Sequence, residues 1–345
     1  AAPNYPYTCY DVLYHTPRQH VGGCLWHSFD HQRGYHPDPF YGGLMDVFRQ
    51  PKYSYYMFQA QRSPKKQDRL FETGPMVYIA HEMTPFSPKD VTVYSNCDEV
   101  RLTYNKGGKS LTYTKPVSRE GMPSPIITFK DVYNFMIDKN MSMKEGRQKE
   151  VFLLAEGLIN GKVVATHKVC PARRPSKLLL WIDNENTELK ADGSDFVTVI
   201  AAIADKNGNI KRLNNYYVKF HIEGEGRILG GANVLANPAP VKWGTAPILV
   251  QSTLKPGKIK ITASVLFEGS QMPVSAELEL ESKPSAYPLI YASEEAALIP
   301  MKSDSQSFPI TAKSQKELEK EKAVKEQNER KLKEVEQQAD FGEKK

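Results

Sequence analysis

The sequence predicts a mainly β chain: two β-sandwiches in tandem, a short mixed β/α segment before them and a charged helical tail after them. Three observations carry that expectation. From about residue 76 to residue 282, apolar residues recur at alternate positions in short runs, the period of half-buried strands. Those runs are punctuated by turns rich in Gly, Asn and Asp, residues that tolerate or stabilise tight backbone geometry. After Ser314 the composition switches to Lys, Glu and Gln with sparse apolar residues.

Taken in order, residues 1–63 form the mixed segment. Gly22 and Gly23 open a short apolar run, Cys24-Leu25-Trp26, which breaks into a polar loop of His, Asp, Arg, Tyr and Pro. The pattern predicts a buried strand that delivers an aromatic and several polar side chains to its C-terminal end. Pro51 suits a first helical turn, and Tyr55, Tyr56, Phe58, Ala60 and Gln61 continue a helix toward Arg62-Ser63-Pro64. Residues 65–69 are a polar linker.

Residues 70–172 predict the first sandwich, of immunoglobulin type. Its runs are 77–81, 91–95 and 100–104, a glycine turn at 105–109 and a return through Leu111-Thr112-Tyr113. A second hairpin joins 151–155 to 163–166 across Asn160-Gly161, a dipeptide suited to a tight hairpin turn. Residues 131–149 read as an inserted loop or short helix. Residues 173–283 predict the second sandwich, opened by Leu178-Leu179-Leu180-Trp181-Ile182 and completed by runs at 218–223, 257–267 and 274–281. Residues 284–313 read as an irregular linker. In 314–345, Ser314 with Glu317 makes a capping box and Glu321–Lys325 and Glu329–Lys333 are i,i+4 pairs, which predicts an exposed helix.

With 345 residues and 40% hydrophobic content the chain can bury two or three cores. The net charge of +6 is mild and much of the lysine lies beside glutamate in the tail, so no nucleic-acid groove is expected. No run approaches the roughly 18 apolar residues of a membrane span, and Ala1-Ala2-Pro3-Asn4-Tyr5 has no features of a signal peptide. The four cysteines, Cys9, Cys24, Cys97 and Cys170, show no metal-site spacing. Buried free thiols are the expectation, and a Cys97–Cys170 bridge stays open. The Asp-rich turns 192–195 and 205–209 lack the spacing of a calcium loop, so ordinary turn chemistry is expected there. The tyrosines at 94, 104, 113, 216 and 217 fit core or cross-strand packing, with an aromatic strip for polysaccharide as the other reading.

Three motifs in order, Gly22-Gly23-Cys24-Leu25-Trp26-His27-Ser28-Phe29-Asp30, then Tyr41-Gly42-Gly43-Leu44-Met45-Asp46, then Arg49-Gln50-Pro51-Lys52, resemble the final strand, loop and helix of the catalytic barrel in glycoside hydrolase family 2, of β-galactosidase type. Residues 95–100 resemble the sandwich that follows the barrel, and the Ala191-Asp192-Gly193 and Asp205-to-Asn209 turns resemble a bacterial Ig-like module. A (β/α)8 barrel needs about 250 residues, and 21 precede this strand, so a chain that starts inside the barrel is expected. The resemblance implies retaining hydrolysis of β-galactosides or related glycans by two glutamates on earlier barrel strands. Residues 1–71 contain no Glu, so no catalytic residue is assigned and the chain is expected to be inactive alone.

What the resemblance leaves to this chain is substrate binding. Trp26 would offer its face to a sugar ring and its N–H to a hydroxyl. Asp30 would orient loop or substrate hydroxyls, with a loop cap as its other reading. His27 stands where the family usually has an acidic residue, which implies altered hydroxyl recognition. Tyr35, with His36 and Asp38, would line the same loop; Arg49 and Lys52 would brace the helix. No cofactor or metal is implied, homo-oligomerisation is left open, and a periplasmic or secreted bacterial setting is suggested. The alternative is a non-catalytic carbohydrate-binding or scaffolding pair of sandwiches.

Overall fold

The computed structural model describes residues 10–34, 39–66, 73–105, 109–116, 120–137, 139, 151–183, 187–266 and 272–286. The expected linker and helical tail beyond residue 286, the glycine turn at 106–108 and most of the 131–149 insertion lie outside them. The chain is mainly β, as its alternation predicts.

A 3₁₀ turn (Val12–His15) and one short helix, α1 (Tyr53–Gln59), are the helical elements of the first segment. Pro51 lies just ahead of the helix and Lys52 occupies the N-cap position. The expected strand at 24–26 is not formed. A strand requires ladder partners, and among the described residues none pairs with these, so Cys24, Leu25 and Trp26 lie exposed outside any sheet, with a bend at Trp26. The segment is ordered instead by single bridges: Phe29 pairs with Met45, Met45 with Pro51, and His31 with Phe40.

The first sandwich comprises β1 (Val77–Ala80), β2 (Val91–Ser95), β3 (Glu99–Tyr104), β4 (Lys109–Thr114), β5 (Ile127–Phe129), β6 (Leu153–Ile159) and β7 (Lys162–Val169). Its sheets run β1-β2-β5 and β4-β3-β6-β7, all neighbours antiparallel. Val93, Val100, Leu102, Leu153 and Ala155 meet between them. The turn joining β6 to β7 is Asn160-Gly161, both at positive φ as a tight hairpin demands. β2 is buried on both faces because α1 covers the outer one: Met57 and Ala60 pack with Ala80, Tyr94 and Met122.

The second sandwich comprises β8 (Lys177–Asp183), β9 (Lys190–Ala191), β10 (Phe196–Ala204), β11 (Tyr217–Gly224), β12 (Gly226–Ile228), β13 (Ala239–Pro240), β14 (Thr245–Ser252), β15 (Gly257–Leu266) and β16 (Ala276–Pro284). Its sheets run β12-β14-β10-β8 and β13-β11-β15-β16-β9. Val199, Ala201 and Ile203 face Phe220, Ile259, Ile261 and Val265 across the core. The two aspartate turns form as turn chemistry predicts: Asp192 accepts from the N–H groups of Ser194 and Asp195, and Asp205 from those of Asn207 and Asn209.

Cys97 and Cys170 are not bridged, and Cys24 is likewise outside any disulfide. Cys97 is buried against Gly157, and burial raises its thiol pKa. The expectation of burial fails at Cys24, which is exposed because its run forms no strand, and is met only in part at Cys170, which is half-buried; Cys9 lies outside the described residues.

Candidate functional site

The site expected from sequence is assembled by the bridges of the first segment. Asp30 donates its N–H to the Met45 carbonyl and Met45 its N–H to the Ser28 carbonyl, so residues 28–30 and 45 run side by side. Gly43 passes so close to Phe29 and Asp30 that a Cβ there would overlap their backbone. Into this crossing the buried Asp30 carboxylate is inserted: its Oδ1 accepts from the Gly43 N–H (2.9 Å) and from Lys52 Nζ (2.6 Å). Lys52 also donates to the Tyr41 carbonyl at 3.1 Å. Asp30 thus holds the loop with that oxygen, in the manner of a loop cap, and Lys52 braces the loop rather than the helix.

Trp26, which precedes this crossing in the chain, has 82% of its surface exposed. The Trp26–His27 peptide is cis. The His27 ring meets Trp26 (5.1 Å between centroids), His31 (4.1 Å) and Phe40 (5.1 Å), all edge-on. Both His27 ring nitrogens are buried among these rings and make no hydrogen bond. Desolvation first, then the neighbouring His31, lower its pKa, against an opposing pull from Asp30, so the ring is held neutral. Arg33 lies over the Phe40 ring and Arg49 over Phe29, each 5.3 Å from the centroid.

Behind the loop, Asp46 closes a turn by accepting from the N–H groups of Phe48 and Gln50. Its carboxyl pKa is raised by burial in spite of those donors. Arg49 sits in this turn at φ 65°. Trp26, His27 and Asp30 therefore come together on one small unit. Tyr35, His36 and Asp38 lie outside the described residues.

Sequence reasoning did not place Phe40 and Tyr41 beside His27 and Lys52. Phe40 reaches His27 because it is bridged to His31 across the loop, a pairing that spacing alone does not reveal. Tyr41 is 62% exposed beside the Lys52 ammonium. In the sandwiches, Tyr94 and Tyr104 are buried, and Tyr113 and Tyr216 pack against the cores. Of these five tyrosines Tyr217 alone is exposed, so no aromatic strip forms. Among the described residues no group of His, Cys, Asp and Glu is placed to hold a metal ion, and no helix is long and apolar enough to cross a membrane.

The unit combines an exposed indole, an imidazole edge-on to it and a buried carboxylate that holds the loop.

Residues 180–266 match the family described as glycoside hydrolase family 2 C-terminal domain 5. A β-galactosidase of Thermoanaerobacter pseudethanolicus is 32% identical over 273 residues, covering 77% of this chain and 34% of that protein. A second β-galactosidase, from Bacteroides ovatus, is 28% identical over 261 residues, 70% of this chain and 27% of its own length. The chain thus spans about a third or less of these relatives. A crystal structure of a β-glycosidase from Bacteroides vulgatus shares the fold, with a TM-score of 0.53 at 23% identity over 74% of this chain and 30% of that one.

Proposed function

We propose that this chain, which corresponds to the C-terminal portion of glycoside hydrolase family 2 enzymes, supplies one wall of a β-galactoside site together with the two sandwiches that carry it. The single observation behind this reading is the exposed Trp26 face, just ahead in the chain of a loop crossing stapled by Asp30, Lys52 and Gly43. An exposed indole can stack on the C–H face of a pyranose and donate its N–H to a hydroxyl.

In this reading the complete enzyme hydrolyses its glycoside with retention, through a covalent glycosyl-enzyme intermediate. The nucleophile and the acid/base are two carboxyl groups about 5 Å apart, supplied by residues outside this chain. Trp26 orients the sugar, and His27, neutral and poor in partners, offers a donor and an acceptor to a hydroxyl once the ring packing opens. Asp30 acts through the loop it holds.

The test is turnover of a chromogenic β-galactoside and a chromogenic β-glucuronide. The 345-residue chain alone should release no chromophore from either, and a complete enzyme bearing it should act on the β-galactoside. Clear turnover by the pure chain would refute the reading. Binding of glycans by residues 73–286 without the first segment would favour the non-catalytic alternative.

A further inference from the structure

The segment that carries Trp26 is tied to the second sandwich, far along the chain, at two places. Gln50 Nε2 donates to Asp183 Oδ2 at 2.7 Å. At the second place Glu82, which follows β1, joins three parts of the molecule. Its Oε1 accepts from the Tyr53 hydroxyl of α1 at 3.2 Å, and its Oε2 from Arg212 Nε at 3.0 Å. Arg212 in turn donates to the Trp243 carbonyl at 3.2 Å, which fixes the guanidinium to its own sandwich.

Asp183 ends β8 on the face that also bears Leu179 and Trp181, opposite Thr198, Ile200 and Ala202 of β10. Ile200 and Ala202 are fully buried although they belong to the outer face, not to the core between the sheets. The outer face of this sheet is therefore covered, where an independent sandwich would leave it to water.

From Gln50 the connection to the sugar wall is short and made of backbone. Gln50 closes the Asp46 turn with its N–H and carbonyl, and Pro51 beside it bridges to Met45. Met45 bridges to Phe29, and Lys52 reaches Asp30. We propose that Asp183 and Arg212 are positioning residues through which the second sandwich sets the loop 43–52 and α1, and thereby the pitch of Trp26. The proposal rests on the reading of Trp26 as a sugar wall, yet the brace itself can be measured without sugar.

The experiment is hydrogen–deuterium exchange on the full 345-residue chain, comparing Asp183→Ala, Asp183→Asn, Arg212→Ala and Arg212→Lys. Asp183→Ala should speed exchange in 43–52 by about tenfold, the weight of one hydrogen bond to a charged acceptor. Arg212→Ala should do the same at 53–59. Asp183→Asn, which keeps an oxygen for Gln50, should restore protection, and Arg212→Lys should restore it in part. Strands 197–203 and 259–265 should exchange as in the wild type. Unchanged exchange throughout 43–59 would overturn the proposal, and so would equal loosening of the sandwich core, which is what a purely structural role predicts.

The Trp26 indole N–H signal supplies the second readout. Its displacement by Asp183→Ala in the absence of sugar would support positioning, and an unmoved signal would count against it. Titration of a complete enzyme bearing this chain with methyl β-galactoside addresses the other reading separately: a Trp26 indole signal insensitive to sugar there would sink the sugar wall and leave the brace standing.

Discussion

Gly43 shows how one residue without a side chain can hold a site together. Its Cα lies against the backbone of Phe29 and Asp30, and its N–H is one of the two donors to the buried Asp30 carboxylate. Gly43→Ala must push that backbone apart, so it should destabilise the segment by about 2 kcal/mol, within the range for overpacking. Faster hydrogen exchange at residues 28–30 and 43–45 is the measurement. Trp26 gives the opposite case. Being exposed, Trp26→Ala should change unfolding stability by less than about 0.5 kcal/mol. Its loss should lower sugar affinity about tenfold, the weight of one aromatic contact. Calorimetric titration against a β-galactoside in a complete enzyme checks this, and unchanged affinity would remove Trp26 from the proposed site. That Trp26, His27 and Asp30 lie on one unit was legible in the sequence because a single motif, residues 22–30, contains all three. Phe40's place was not, since its position beside His27 depends on a bridge between His31 and Phe40 that closes across eight intervening residues.

At the scale of elements, β15 makes the alternation physical. Ile259, Ile261 and Ala263 point into the core, while Lys258 and Lys260 point outward, Lys260 toward Glu277 at 3.1 Å. Ile261→Ala should therefore cost about 3 kcal/mol through lost burial and a cavity, and Lys260→Ala less than about 0.5 kcal/mol because an exposed ion pair contributes little. Chemical denaturation of both variants decides; equal effects would mean that the faces are misassigned. Most strands were legible from this period, whereas β14 was not. Its Pro247 argues against a central strand, but β12 pairs only with residues 250–252 of β14, so the strand is an edge on that side at the proline. The expected strand at 24–26 failed for the converse reason: the right residues were present and the ladder partners were not.

Between elements, β7 and β1 are joined by a titratable contact. His167 Nδ1 accepts from the Ile79 N–H at 3.0 Å, and its ring stacks on Tyr78, which stacks on Tyr56 of α1. Burial lowers the His167 pKa, with Glu82 pulling the other way. The fold therefore holds the neutral ring, while the unfolded chain takes up a proton near about pH 6.5. Stability from this residue is complete above that pH and is lost as the pH falls through the lower folded value. Unfolding midpoints measured between pH 5 and 8 should decline on the acid side, and His167→Asn, which keeps an acceptor without titrating, should flatten the decline. Identical slopes for the two proteins would refute this role.

At the scale of the whole molecule, burial divides the first segment into two parts. Residues 12–41 are rich in exposed side chains: Val12, Tyr14, Val21, Trp26 and Tyr41 among the apolar ones. Residues 53–61 are instead fastened to the first sandwich, by Met57 and Ala60 in a shared core and by reciprocal bonds between Gln61 and Ser124. Cleavage follows local opening, and opening is easiest where few apolar contacts must be broken. Limited digestion with chymotrypsin should thus cut first near Tyr14, Trp26, Phe29 or Tyr41, ahead of any cut within β1–β16. The surviving core should retain α1, so its N-terminus should fall between about residues 27 and 52 and not at the boundary near residue 63 that sequence predicts for the segment. Mass spectrometry of the fragments reads this directly. A core beginning after Gln61 would show that α1 opens with the loop, and that the brace from Glu82 and Arg212 does not hold it in solution.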